Sequence, residues 1–249
     1  MRVILYLKSL GQYEINFEYH KNIQGFVYSL LRNTKFENLH DKKGYKFFCF
    51  SNIFTREKND SRIYHLIISS PYDNFIEQIS YQLEKIIDNQ IPLEIGSLFE
   101  LQSFIKIKNQ KSPFPLQMIT GSPIIVRIPI EKFKEFSTES TEYKTIYWRS
   151  SHPIQLFVNA VESNLKKKYQ EFSNTKITGQ LFEKFTFKKQ ISTKIEIEND
   201  LVPIIGSMWE LGFTSSIQKE VQLFALDCGL GERNSLGFGF MNAIFPTKN

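Results

Sequence analysis

Alternation of apolar and polar positions opens the chain. Val3, Leu5 and Leu7 fall on one side of residues 2–8, as a strand lying half-buried against a core requires. The period then changes: Ile23, Phe26, Val27, Leu30 and Leu31 recur at i, i+3, i+4, i+7 and i+8 and predict a helix over 21–33. Tyr45–Ser51 (YKFFCFS) and Arg62–Ser69 (RIYHLIIS) are short aromatic and β-branched runs that predict strands. Ser70-Pro71 offers an N-cap and a first-turn proline to a helix carrying Ile76, Ile79, Leu83, Ile86 and Ile87. Residues 92–107 read as extended, with room for a hairpin. The stretch NQKSPFPLQMITG, 109–121, holds two prolines and closes on Gly121, and reads as a boundary between domains at 1–115 and 116–249.

The second half repeats the order less cleanly. Residues 123–130 alternate as a strand, and Ile154, Phe157, Val158, Val161 and Leu165 mark a helix with Pro153 near its start. Residues 177–187, 190–197 and 201–213 read as extended. Ile217, Val221, Phe224 and Ala225 give a short helix, then a glycine-rich loop and a strand over 237–245. Each half is therefore β-α-β-β-α-β. The expected class is α+β, two tandem ferredoxin-like (RRM-like) domains with antiparallel sheets. That order hosts many unrelated activities and names none of them.

Composition narrows the chemistry. The chain has 249 residues, with 23 Phe and 11 Tyr, which serve either as core or as flat faces for bases; composition leaves both open. Lys and Arg outnumber acidic residues 31 to 26, a balance that permits nucleic-acid binding without demanding it. Cys49 and Cys228 stand far apart with no CxxC pair, and the four histidines (His20, His40, His65, His152) form no HExxH. No metal, cofactor or disulfide framework is expected. The apolar run at 3–7 is too short for a signal peptide, and no run approaches the ~20 residues of a membrane span. The expectation is a cytoplasmic protein without a membrane partner.

The most distinctive segment is Gly229-Leu230-Gly231-Glu232-Arg233-Asn234-Ser235-Leu236-Gly237-Phe238-Gly239-Phe240. It lacks the GK[ST] of a P-loop, and it follows a helix where a dinucleotide loop precedes one. By itself it is either a tight helix-to-strand loop or a backbone nest for phosphate, with Arg233 the nearest cation.

This GLGERNSLGFGF pattern resembles the glycine-rich loop of the CRISPR-associated endoribonucleases of family six. The resemblance continues into IQGFVYSLL (23–31) and HDKKGYKFF (40–48). It implies tandem ferredoxin-like domains, binding of CRISPR repeat RNA, and cleavage within each repeat without a metal. It places Gly229, Gly231, Arg233, Asn234, Ser235, Gly237 and Gly239 among the RNA-contacting residues. It also implies a catalytic Tyr on the first helix, a His in the following segment and a Lys just after a Gly, positions that Tyr28, His40 and Lys46 match in order.

The residues support part of this directly. Gln24, Tyr28 and Arg32 fall at i, i+4 and i+8 and line one flank of the first apolar stripe. Histidine suits proton transfer and lysine suits charge stabilisation. His20 rivals His40, and Lys42 and Lys43 rival Lys46. Of the basic groups Lys106/Lys108/Lys111, Lys166–Lys168 and Lys184/Lys188/Lys189, the last set is expected to track phosphates before the triple lysine, which reads as a solvated helix end. Two other roles stay compatible: repeat-RNA binding without cleavage, and a subunit that meets other CRISPR-associated proteins. The chain is expected to act as a monomer or homodimer.

Overall fold

The computed structural model describes residues 1–11, 19–58, 61–108, 114–135, 143–197 and 200–245. The chain forms two compact units. The first comprises Met1–Lys111 together with Ile195–Val202 and Ser235–Gly237. The second comprises Ser112–Lys194, Pro203–Asn234 and Phe238–Asn249.

The first unit runs β1 (Arg2–Ser9), α1 (Tyr19–Ser29), β2 (Cys49–Phe50), β3 (Phe54–Lys58), β4 (Ser61–Ser69), α2 (Asp73–Asp88), β5 (Leu93–Glu94) and β6 (Leu98–Ile107). Its antiparallel sheet has the order β2-β4-β1-β6-β5, with β3 also paired to β4. With β2 and β3 counted as one interrupted strand and β6 as the last, this is the ferredoxin-like arrangement. Alternation in β1 sends Val3, Leu5 and Leu7 into the core, where they meet Leu66 and Ile68 of β4 and Ile23, Val27, Phe75, Ile76, Ile79 and Leu83 of the helices. Each such side chain is worth roughly 1.5–3 kcal/mol on burial, so the helix carrying the candidate tyrosine is anchored by its own apolar stripe.

Three local expectations change. Helix α1 spans Tyr19–Ser29 instead of 21–33, because Tyr19 is buried and its hydroxyl accepts the Ile53 N–H, drawing the first turn onto the sheet. The strand expected over 45–51 shrinks to Cys49–Phe50, since Gly44 (φ 93°) and Phe47 (φ 51°) turn the backbone out of extension. Ser70 does not cap α2. Its hydroxyl donates to the Phe47 carbonyl at 2.7 Å and accepts from Tyr72 N–H at 3.2 Å, and the helix starts at Asp73 with Tyr72 as an N-cap whose side chain makes no capping bond.

The second unit contains β7 (Gln117–Thr120), β8 (Arg127–Pro129), α3 (Ile130–Phe133), β9 (Thr145–Tyr147), α4 (Ile154–Ser173), β10 (Phe182–Ile197), β11 (Asp200–Phe213), α5 (Lys219–Cys228) and β12 (Met241–Ala243). The far ends of β10 and β11, from Ile195 to Val202, belong to the first unit. The sheet order β10-β11-β7-β12 repeats the ferredoxin-like arrangement, and β8 pairs with β9 as a separate ribbon. An aromatic core forms under it, with Phe157 of α4 stacked on Trp209 of β11 at 4.4 Å between centroids.

Here too the reading shifts. The proline-containing boundary stretch includes a true strand, β7, which pairs with β11 and β12; residues 109–113 lie outside the described residues. The strand expected over 123–130 is an isolated bridge, Ile124 with Ser207, followed by the short β8. The segments 182–187 and 190–197 are one continuous strand, and the strand expected over 237–245 is only Met241–Ala243.

Candidate active site

Helix α1 presents a row of polar side chains beside its buried stripe. His20, Gln24 and Tyr28 stand at i, i+4 and i+8, so they share a face. The expected row Gln24–Tyr28–Arg32 extends backwards instead, because the helix starts earlier and ends before Arg32. Within the same unit this row meets Ser235 and Leu236. His20 Nδ1–H donates to the Leu236 carbonyl at 2.8 Å, and the Gln24 amide donates to the Ser235 carbonyl at 2.8 Å. Burial holds His20 down at about 4, partly opposed by the bond to Leu236, so the ring is neutral at physiological pH. His20, read as lying just before the helix, is inside it, and its Nδ1 serves an anchoring bond.

Tyr28 lies at the edge of the core with its ring against Phe48. Burial pushes its phenol up to about 12, so the phenol keeps its proton throughout the neutral range. Lys46 reaches it from the segment between Gly44 and Phe47, whose positive φ values aim the side chain back at α1. Its Nζ donates to the Tyr28 hydroxyl at 3.0 Å and to the His40 carbonyl at 2.6 Å, and lies 5.2 Å from the centre of the Tyr28 ring. Burial lowers the Lys46 pKa, with Asp41 opposing. Of its rivals, Lys42 places its ammonium over the Phe47 ring at 4.9 Å, a different position.

His40 ends a 3-10 turn at Glu37–Leu39 and sets its ring edge-on to Tyr28, 5.1 Å between centroids. Its Nδ1 lies 3.0 Å from the Asp41 carboxylate, and its side chain is 68% exposed. A Nδ1 proton directed at Asp41 leaves Nε2 as the acceptor nitrogen. The three residues matched in the sequence are thus brought into one cluster: a protonated phenol, an accessible imidazole and a partly desolvated ammonium. Such a set can move protons and stabilise negative charge on a phosphate.

The glycine-rich segment is bonded to itself and to residues 122–125. The amides of Leu230, Glu232 and Gly239 donate to the carbonyls of Gly239, Ile125 and Pro123 at 2.8–2.9 Å, and Phe240 N–H donates to Ser122 Oγ at 2.8 Å. Those four amides are bonded within the protein. Lys168 sits beneath the segment, 1% exposed, and its ammonium donates to the carbonyls of Gly229 (2.7 Å) and Gly231 (3.2 Å) and to Asn234 Oδ1 (2.8 Å). Asn234 Nδ2 donates in turn to the carbonyls of Leu230 and Phe238. The reading of Lys166–Lys168 as a solvated helix end therefore fails at Lys168. The available signal was position: Phe157, Val161, Leu165 and Lys168 share one helical stripe. Glu232 in the segment is held by Arg127 Nε at 2.6 Å, and Arg233 adopts φ 58° with its Nε buried.

Of the strand lysines, Lys184 and Lys188 share Glu210 on β11, with Nζ–Oε separations of 3.8 and 2.7 Å. The hydrogen bond and charge of Lys188 hold the Glu210 carboxyl below its usual range. Lys189 is exposed on the opposite face of β10. Lys111 lies outside the described residues.

Two successive β-α-β-β-α-β units, the second carrying a glycine-rich turn between its last helix and last strand, define a class of tandem ferredoxin-like α+β proteins. Solved structures share the fold: "CRISPR associated protein Cas6", with TM-score 0.68 and 22% identity over 98% of this chain and 99% of that one, and "An RAMP protein binding different RNA substrates", with TM-score 0.71 and 20% identity over 98% and 100%. The sequence profile described as CRISPR associated protein Cas6, C-terminal, matches residues 105–243. The "CRISPR-associated endoribonuclease Cas6 2" of Methanocaldococcus jannaschii is 33% identical over 89% of this chain and 90% of its own. The "CRISPR-associated endoribonuclease Cas6" of Haloferax mediterranei is 26% identical over 100% and 95%. The chain belongs to the Cas6 family.

Proposed function

We propose that this protein is an endoribonuclease that cuts CRISPR repeat RNA without a metal. The observation that carries the reading is the convergence of Tyr28, His40 and Lys46, separated in sequence and joined by the 3.0 Å bond between Lys46 Nζ and the Tyr28 hydroxyl. The relatives named as endoribonucleases supply the reaction class. In the reaction, a 2′-oxygen of the RNA forms a bond to the adjacent phosphorus as the P–O5′ bond breaks. The 2′-hydroxyl proton leaves to a base, and the departing 5′-oxygen takes one up. The products are a 2′,3′-cyclic phosphate and a 5′-hydroxyl.

His40 is the proton-transfer group, because its imidazole is accessible and can hold a lone pair at Nε2. Lys46 offsets charge on the phosphate oxygens, and Tyr28 donates its phenolic proton to the same phosphate. The N-terminal domain carries this chemistry. The C-terminal domain binds RNA through the Gly229–Gly239 segment with Arg233, Asn234 and Ser235, aided by Lys184, Lys188 and Lys189. The protein works in the cytoplasm as a monomer or homodimer, with other CRISPR-associated proteins as further partners.

The test is cleavage of the host's own repeat RNA in chelator, wild type against His40→Ala. Cleavage by wild type, with a variant that binds but does not cut, supports the reading. Loss of wild-type cleavage in chelator removes the metal-independent mechanism, and an active His40→Ala removes His40 from the chemistry.

A further inference from the structure

Glu232 of the glycine-rich segment is bonded three times to the residues leading into β8. Its N–H donates to the Ile125 carbonyl at 2.8 Å. Its carboxylate reaches Arg127 twice, with Oε1 accepting the Arg127 backbone N–H at 3.0 Å and Oε2 accepting the side-chain Nε–H at 2.6 Å. The approach is close, since a Cβ at Gly231 (φ 71°) would collide with the Ile125 carbonyl. Arg127 is fixed from its own strand as well: the neighbouring Ile128 is buried, and Arg127 stands opposite Tyr147 in the β8–β9 ribbon.

A guanidinium carries five N–H donors in one plane, one on Nε and two on each terminal nitrogen. Glu232 takes the Nε–H. The terminal nitrogens, the end of the fork that offers two parallel donors, have no partner among the described residues, and the side chain is 48% exposed. A carboxylate seated on that end would occupy the donors an anion needs. One that spans Nε and the backbone amide instead fixes the direction of the side chain and leaves the end open for a bidentate contact. Lys184 and Lys188 differ in this respect, because each meets Glu210 through its single ammonium. The geometry points to Arg127 as a further phosphate-binding residue for the RNA, with Glu232 as the residue that positions it.

This rests on the reading of the protein as one that binds repeat RNA, and the experiment separates the two. Affinity for repeat RNA across a salt series is measured for wild type, Arg127→Ala, Arg127→Lys, Glu232→Gln and the Arg127→Ala/Glu232→Gln double variant, with thermal melts to show that each is folded. Arg127→Ala is expected to bind roughly tenfold more weakly and to flatten the dependence of log affinity on log salt by about 0.7, one phosphate on a single strand. Arg127→Lys keeps the charge and loses the fork, so the slope should return without the full affinity. Glu232→Gln discriminates by sign. Removing a negative charge beside RNA would by itself tighten binding, whereas releasing a positioned arginine should weaken it by about 2- to 10-fold, the cost of ordering one long side chain again. In the Arg127→Ala background the sign should reverse, because only the charge effect is left. Should Arg127→Ala fail to fold, Arg127→Lys and Glu232→Gln carry the test. Wild-type affinity and slope in Arg127→Ala, full affinity in Arg127→Lys, or a Glu232→Gln protein that binds as tightly as wild type or more so overturns the inference and leaves the RNA-binding reading in place. A wild-type protein that does not bind repeat RNA overturns both.

Discussion

Tyr28 accepts from an ammonium and keeps its proton to about pH 12, which makes it a hydrogen-bond donor to substrate and excludes it as a base at neutral pH. Tyr28→Phe should therefore lower the cleavage rate by about 100- to 1000-fold, the range of a single lost donor to a developing charge, and leave RNA affinity little changed; single-turnover kinetics beside a binding titration checks this. His20 gives a second residue-scale expectation, in stability. Its pKa is about 4 in the fold against an ordinary 6.5, so between these values the unfolded chain binds a proton that the folded chain refuses. Stability should be flat above pH 6.5 and decline as pH falls toward 4, by on the order of 1–3 kcal/mol from this group. Urea midpoints against pH, compared with His20→Gln, isolate the contribution. An unchanged slope in the variant would show that His20 is not its source.

At the scale of elements, the glycine-rich segment is held by Lys168 and by bonds to residues 122–125 as well as to itself, and Gly239 within it differs from the glycine in α1. Gly239 has φ 69°, and a Cβ there would run into the Leu230 carbonyl. Gly239→Ala should cost about 2–4 kcal/mol through strain and collision. Gly25, in the exposed middle of α1, has open space around it, and Gly25→Ala should stabilise by up to about 1 kcal/mol. Paired thermal melts show whether the two glycines part in sign.

The same contrast explains what could be read from the sequence. Period-2 runs at 2–8 and 62–69 and the helical stripes at 23–31, 76–87 and 154–165 gave elements of the right kind and order, because each depends on its own neighbours in the chain. The β7 strand at 117–120 was hidden among prolines, because it exists only through pairing with β11 and β12. The turn at Phe47, the anchoring of His20 to Leu236 and the burial of Lys168 under the glycine segment also depend on partners distant in sequence, which local periodicity does not encode. The candidate cluster was legible through the motif order of Tyr28, His40 and Lys46; the bond joining two of them was not.

For the molecule as a whole the question is how a modest excess of positive charge, 31 basic against 26 acidic residues, is made available to RNA. Five of the basic residues are already committed: Arg127 to Glu232, Lys168 to buried carbonyls, Lys166 to Glu162, and Lys184 with Lys188 to a single Glu210. If the lysines of β10 follow the RNA backbone, Glu210 competes with phosphate for two of them. Each phosphate neutralised on a single strand steepens the dependence of log affinity on log salt by about 0.7. Lys189→Ala should then flatten that slope by about one such contact. Glu210→Gln releases Lys184 and Lys188, and should tighten RNA binding at low salt and steepen the slope. The ion pairs are exposed and contribute little to folding, so thermal stability should hardly move, and a change in affinity can be assigned to charge. Affinity measured across a salt series decides it: a Glu210→Gln protein that binds repeat RNA with wild-type affinity and slope would mean that Lys184 and Lys188 serve the sheet and not the RNA.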